Sequence, residues 1–346
     1  MKVDAPLVAA TLHDVPAVAG RVEADGFDGL YTFEGPHDPF LPLMLAAEHT
    51  RRVDVMTAVA IALARNPMTV AQLAWDLNVA SGGRAIVGLG SQIKPHIERR
   101  FAMSWTAPAA RMGEFVDAVR AIFECWEHGT SLQFEGEHYR HTLMTPFFTP
   151  EPSPHGSPRI FLAGVGPEMT RRAGAAADGF FAHPFSTPDY LRSVTLPALR
   201  SGVRGATPEF EIAWPVMIAT GADDASRDAA EVATRGQIAF YASTSAYRPV
   251  LDHHGCGDLQ PEFNRLSKLG EWEPMVALVD DDLLDLIAIR GTPAECGREL
   301  ARRTVGLVDR AAVNAPYTAD PVVSAQVLKE FRRGAEDSGA TASGAP

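Results

Sequence analysis

The stretch GFDGLYTFEGPHDPF, residues 26–40, is an apolar run that stops abruptly at Glu34 and His37. A histidine can take or give a proton near neutral pH, and a nearby acid can orient it or carry the proton itself. Glu34 and His37 are therefore candidate catalytic residues. The plainer alternative is that Glu34 caps the next helix and His37 satisfies backbone groups. A second stretch, AGVGPEMTRRAG from Ala163, sets glycines directly before a helix start. Amides left unpaired at such a start point outward and suit a phosphate, so Gly164, Val165 and Gly166 are candidate phosphate-binding residues. A tight turn is the alternative, and the lysine of an ordinary P-loop is missing. In GLGSQIKPH, from Gly88, Gly90 permits close approach while Ser91 and Gln92 supply hydrogen-bonding side chains. The small residues Thr57-Ala58-Val59-Ala60 would let a flat ring lie against backbone, or would simply pack. His183 ends another apolar run, DGFFAH. The 11 histidines include no HxH after the first strand and no HExxH. His253-His254 reads as a solvated loop, and no metal is expected.

These residues need elements that bring them to one place. Residues 28–34, 53–61 and 84–89 read as short buried strands, each preceded by a helical segment. Asp14 is placed to cap the first helix, with Pro16 in its first turn and Gly26 after its end. FLPLMLAAEHTRR sets Leu43, Ala46 and Ala47 on one face. Asn66 caps the next helix, Pro67 opens it, and Val70, Leu73, Ala74 and Leu77 form its stripe. A strand–loop–helix unit recurring about every thirty residues implies parallel strands with right-handed crossovers. The rhythm resumes with strands at 159–164, 178–183 and 211–220, then a helix from Thr292 to Arg303 and a strand at 308–314. A first strand at Lys2–Ala10 makes eight. Eight strands of this kind predict an α/β fold, a (β/α)8 TIM-like barrel, with an open doubly wound sheet as the alternative. In such a barrel the site lies at the C-terminal strand ends, where Glu34, Ala58, Gly90, Gly164 and His183 all fall. In the helix at 111–129, Phe115, Val119, Ile122 and Phe123 read as core.

One barrel domain over residues 1–335 is expected, interrupted by insertions around 91–110, 129–158 and 244–282, with a disordered tail at 336–346. The last two insertions read as irregular lids or oligomer contacts. A formal net charge of −12 argues against nucleic acid or an anionic membrane as the main partner. No stretch has the pattern of a signal peptide or a transmembrane helix. The three cysteines, at unrelated spacings, read as packing thiols of a reducing, cytoplasmic compartment.

ExxHDPFLPL (34–43), QLAWDLNVASGGR (72–84), GLGSQIKPHIERRF (88–101) and AGVGPEMTRRAGAAADGF (163–180) together resemble the luciferase-like monooxygenase superfamily. Within it they are most similar to the coenzyme F420-dependent oxidoreductases of actinobacteria. The late GTPAECGRELARRTVGLVDRAAV resembles the family's last helix and strand. The match runs from about residue 2 to 316. The resemblance implies a bacterial luciferase-like barrel that moves a hydride between F420 and a small organic substrate. FMN is the alternative cofactor, used with oxygen by a monooxygenase; a non-catalytic flavin-binding barrel is the second alternative. It further implies a cis peptide at Ala58-Val59 behind the cofactor ring, and contacts from Ser91 and Gln92 to the ring or its ribityl chain. Gly164, Val165 and Gly166 would hold a phosphate, with His183 near it or the chain. The family often has an acid–histidine pair after the second strand. Here Gly35 follows Glu34, so His37 comes late. A homodimer is expected from the resemblance alone.

Overall fold

The computed structural model of the chain describes residues 1–203, 210–317 and 319–342, with side chains as far as residue 337. The eight expected strands all form: β1 (Lys2–Pro6), β2 (Gly29–Thr32), β3 (Asp54–Ile61), β4 (Ala85–Gly90), β5 (Arg159–Gly164), β6 (Gly179–Ala182), β7 (Glu211–Ala219) and β8 (Arg310–Asn314). They hydrogen-bond in the order β7-β8-β1-β2-β3-β4-β5-β6, and β6 also pairs with β7. The registered ladders are parallel. This is a TIM-like (β/α)8 fold. A short strand, Ile289–Arg290, adds to β7. β1 ends at Pro6, short of the Ala10 expected.

Residues fall into two compact units: Met1–Asp4, Ala182–Pro197 and Ile212–Pro346 in the first, Ala5–Phe181 and Ala198–Glu211 in the second. The second unit contains helices α1 (Val15–Ala24), α2 (Phe40–His49), α3 (Pro67–Ser81), α4 (Pro108–His128) and α5 (Pro167–Ala176). Asn66 Oδ1 accepts the amide of Met68 at 2.9 Å, Pro67 opens α3, and Gly82 closes it in the left-handed region at φ 68°. Its stripe differs from the expected one. Ala71, Trp75 and Asn78 widen the buried face to one side, which leaves Leu73 at the margin, 36% exposed. Asp14 does not cap α1 with its side chain. Its own backbone is already helical, so the carboxylate turns back to accept the Thr11 amide and hydroxyl at 2.9 and 2.8 Å. Leu43, Ala46 and Ala47 on α2, and Phe115, Val119, Ile122 and Phe123 on α4, are core as expected. Of 129–158, a two-residue antiparallel ladder joins Phe134–Glu135 to Arg140–His141.

In the first unit, a bidentate pair from Arg310 to Asp4 (2.8 and 2.6 Å) ties β8 to β1 in full burial. α6 (Asp224–Ala242) starts at a capping box of Asp223 and Ser226, and α7 (Pro293–Thr304) at one of Thr292 and Glu295. Residues 244–282, read as irregular, are mostly helical: Arg248–His253, Gln260–Leu269 and Trp272–Ala277 bury Leu251, Phe263, Leu266 and Met275 in one apolar cluster with Phe185 and Tyr190. Their helices are too short for a sequence period to reveal. The final helix, α8, is Pro321–Ala342, so it runs into the stretch expected as a tail; residues 343–346 lie outside the described residues.

Candidate active and cofactor-binding site

In the second unit, β3 breaks register with β4 between Thr57 and Ala60. Within that bulge the Ala58–Val59 peptide is cis, as the resemblance implies. Several bonds hold the bulge. The Thr57 hydroxyl donates to Gly88 O (2.8 Å), the Val59 carbonyl accepts the Glu34 amide (3.2 Å), and the Ile61 amide donates to Glu34 Oε2 (2.7 Å). Glu34 is thus fastened to the end of β3. The same oxygen meets the Arg65 guanidinium, and that group also reaches Ile61 O (3.1 Å) and Asp38 Oδ2 (2.8 Å). Sequence reasoning missed Arg65. Its only signal was its place, four residues past Ile61 at the end of an apolar strand.

Two glycines of β4 make room for the bulge. A Cβ on Gly88 would sit 2.0 Å from Thr57 O, and one on Gly90 would sit 2.7 Å from Val59 Cγ2. Past Gly90, the Ser91 hydroxyl donates to Gln92 O at 3.1 Å. Gln92 is in the left-handed region at φ 61°, and its side-chain oxygen accepts the Ile93 amide at 3.0 Å. Non-glycine residues held in that region are uncommon and concentrate at functional sites. Arg100, further along, donates to Gly35 O at 2.7 Å and so joins the loop after β4 to the loop bearing His37. His37 itself is exposed. The structure therefore links Glu34, Ala58, Val59 and Gly90 by direct bonds or contacts and leaves the His37 ring accessible.

Gly164 ends β5, and Gly166 is the N-cap of α5 with ordinary extended backbone. It contributes no capping side chain, and Pro167 at the first helical position has no amide to offer. A Cβ on Gly166 would meet nothing within 4 Å, so an approaching group finds open backbone. Gly164 is different: a Cβ there would press on Met169 Cγ at 2.8 Å. Glu168 in the first turn would repel an anion. Arg171 grips it with two hydrogen bonds (3.1 and 2.6 Å), which hold its carboxyl below the usual range and offset its charge.

In the first unit, His183 follows β6. Its Nδ1 accepts the Phe185 amide at 3.0 Å, so the proton of the neutral ring is on Nε2. The ring stacks on Tyr247 (centroids 4.3 Å apart, 26° between planes) and meets Tyr241 edge-on (4.6 Å, 79°). Burial among these rings pulls its pKa down to about 3 and pushes Tyr241 up to about 12. Tyr241 and Tyr247 went unnoticed in the sequence because one ends a helix and the other lies in the segment read as irregular. Of His253 and His254, expected in a solvated loop, the first is exposed and the second half-buried, and each makes a hydrogen bond: His253 Nε2 with Asp189 Oδ2 (2.7 Å) and His254 Nε2 with Thr187 Oγ1 (2.8 Å).

A family model described as luciferase-like monooxygenase matches residues 1–310. The chain belongs to that family. It is 52% identical over 318 residues to the uncharacterized protein Rv1360 of Mycobacterium tuberculosis, covering 91% of this chain and 93% of that one. It is 26% identical to the 5,10-methylenetetrahydromethanopterin reductase of Archaeoglobus fulgidus, covering 88% and 90%. Among solved structures it resembles the coenzyme F420-dependent tetrahydromethanopterin reductase of Methanopyrus kandleri, with a TM-score of 0.77 at 18% identity over 94% and 96% of the two chains. This luciferase-like chain thus has F420-dependent oxidoreductases among its distant relatives. Among the described residues, no helix is long and apolar enough to cross a membrane.

Proposed function

We propose that this luciferase-like protein is an oxidoreductase that transfers a hydride between deazaflavin coenzyme F420 and a small organic substrate. The observation that carries the reading is the pairing, in one unit, of a bulged strand packed on Gly90 with an open, uncapped helix start at Gly166. A planar ring needs a flat backbone wall, and a phosphate needs unpaired amides. Ala58, Val59 and Gly90 would form the wall, Ser91 and Gln92 the polar edge, and the Gly164–Gly166 segment the phosphate cradle. A bound deazaflavin would supply the hydride chemistry. His37, exposed at the end of β2, is the group assigned to hold or release the accompanying proton. Glu34 is assigned to position the bulge through Ile61 and Arg65. The proposal includes a homodimer in the cytoplasm with no nucleic-acid or membrane partner.

Titrating the purified protein separately with F420 and FMN, and following tryptophan quenching, tests this reading. Stoichiometric F420 binding is expected. Tight FMN binding with none for F420 would favour the second reading, an FMN-dependent monooxygenase using oxygen, which the description of the matching family supports.

A further inference from the structure

His183 is built as a ligand-facing donor rather than as a core residue. A core histidine satisfies both ring nitrogens. Here Nδ1 is taken by the Phe185 amide, while Nε2 has no hydrogen-bond partner among the described residues and the residue as a whole is half-buried. Its surroundings are aromatic: Tyr247 stacked, Tyr241 edge-on, and Phe185 6.2 and 6.1 Å from the two tyrosine rings. Tyr241 and Tyr247 are each part-exposed, and neither hydroxyl makes a hydrogen bond among the described residues. Three neutral donors therefore share one aromatic patch. Among the described residues, the ring contacts of His183 contain no cation to hold a phosphate and no carboxylate to hold an amine.

We infer that His183, Tyr241 and Tyr247 form a binding wall for an uncharged, carbonyl-bearing ligand, with the His183 Nε2–H donating to the carbonyl oxygen. A neutral imidazole kept in one tautomer donates to a carbonyl oxygen without adding charge, and the tyrosine rings match a flat or cyclic carbon skeleton. Phosphate would select arginine or lysine, and a carboxylate ligand would call for an opposing cation.

The test uses full-length protein with 15N-labelled histidine, without cofactor, and cyclohexanone as probe. The His183 signal is expected to show the Nε2–H tautomer from pH 6 to 8 and to move on adding cyclohexanone but not inorganic phosphate. His183→Phe should weaken cyclohexanone binding by about three- to tenfold, the worth of one neutral hydrogen bond, and His183→Gln should recover part of it. Unfolding curves on both variants separate lost binding from lost structure. The inference is overturned if wild-type His183 is protonated at pH 6, holds its proton on Nδ1, or responds to phosphate instead of the ketone. Because no cofactor is present, such a result leaves the F420 titration standing as an independent test of the proposed function.

Discussion

The carboxylate of Glu34, at the end of β2, accepts the amide of Ile61, at the end of β3, at 2.7 Å, while Arg65 closes on the same oxygen. Side-chain exposures of 7% for Glu34 and 15% for Arg65 put this pair out of bulk water. Its effect is positional. It ties the far side of the β3 bulge to the start of the loop that carries His37, and Arg65 extends the tie to Asp38.

Removing one partner of a buried ion pair leaves the other uncompensated, at a cost of about 3–5 kcal/mol. Arg65→Ala should therefore lower the urea midpoint markedly. Glu34→Gln can still accept from Ile61 and should lose less. Equal losses in the two variants would argue that the charge of Glu34 has no unfavourable burial to compensate.

The glycines separate fold from function. Gly88→Ala puts a methyl 2.0 Å from a backbone oxygen, so the strands must part; overpacking of this kind costs about 1–3 kcal/mol. Gly166→Ala meets nothing within 4 Å and should leave thermal unfolding unchanged. It should nonetheless weaken F420 binding, because the added methyl stands where the phosphate is proposed to approach. Unchanged affinity in a stable Gly166→Ala protein would move the phosphate elsewhere.

The Asp4–Arg310 pair lies at 3% and 0% side-chain exposure. Asp4→Asn keeps the shape but removes one charge of this buried pair, so a clear loss in chemical denaturation is expected. Asp224→Asn, whose carboxylate is 92% exposed beside Arg227, should cost under about 1 kcal/mol.

His183 also makes a pH prediction. Its folded pKa, near 3, lies below the ordinary value of about 6.5, so across that window the unfolded chain binds a proton the native ring refuses. Stability then rises with pH through the window and falls as pH drops from 6.5. His141 and His254, also lowered by burial, push the same way. His183→Gln should flatten the slope of unfolding free energy between pH 6.5 and 5 by up to about 1.4 kcal/mol per pH unit. An unchanged slope would show that the ring is freely protonated in the folded protein.

The strand–helix rhythm and the strand ends were legible because each depends on local pattern: apolar runs, caps such as Asn66, and glycines such as Gly82 act within a turn or two of themselves. The helices of 244–282 were not, since runs of six to ten residues hold too few turns for a period to show. Leu73 was misplaced for a related reason. Its neighbours Trp75 and Asn78, rather than its own hydrophobicity, decide which side of α3 faces inward.

By itself, the sequence determined the fold class, the family and which loops carry polar and glycine residues at the strand ends. Only the tertiary structure decided that Arg65 fastens Glu34, that Gly90 yields space to Val59, and that two tyrosines pack on the ring of His183. Periodicity is a property of neighbours along the chain. Ion pairing, steric allowance and desolvation are set by groups tens of residues apart, whose meeting no local pattern records.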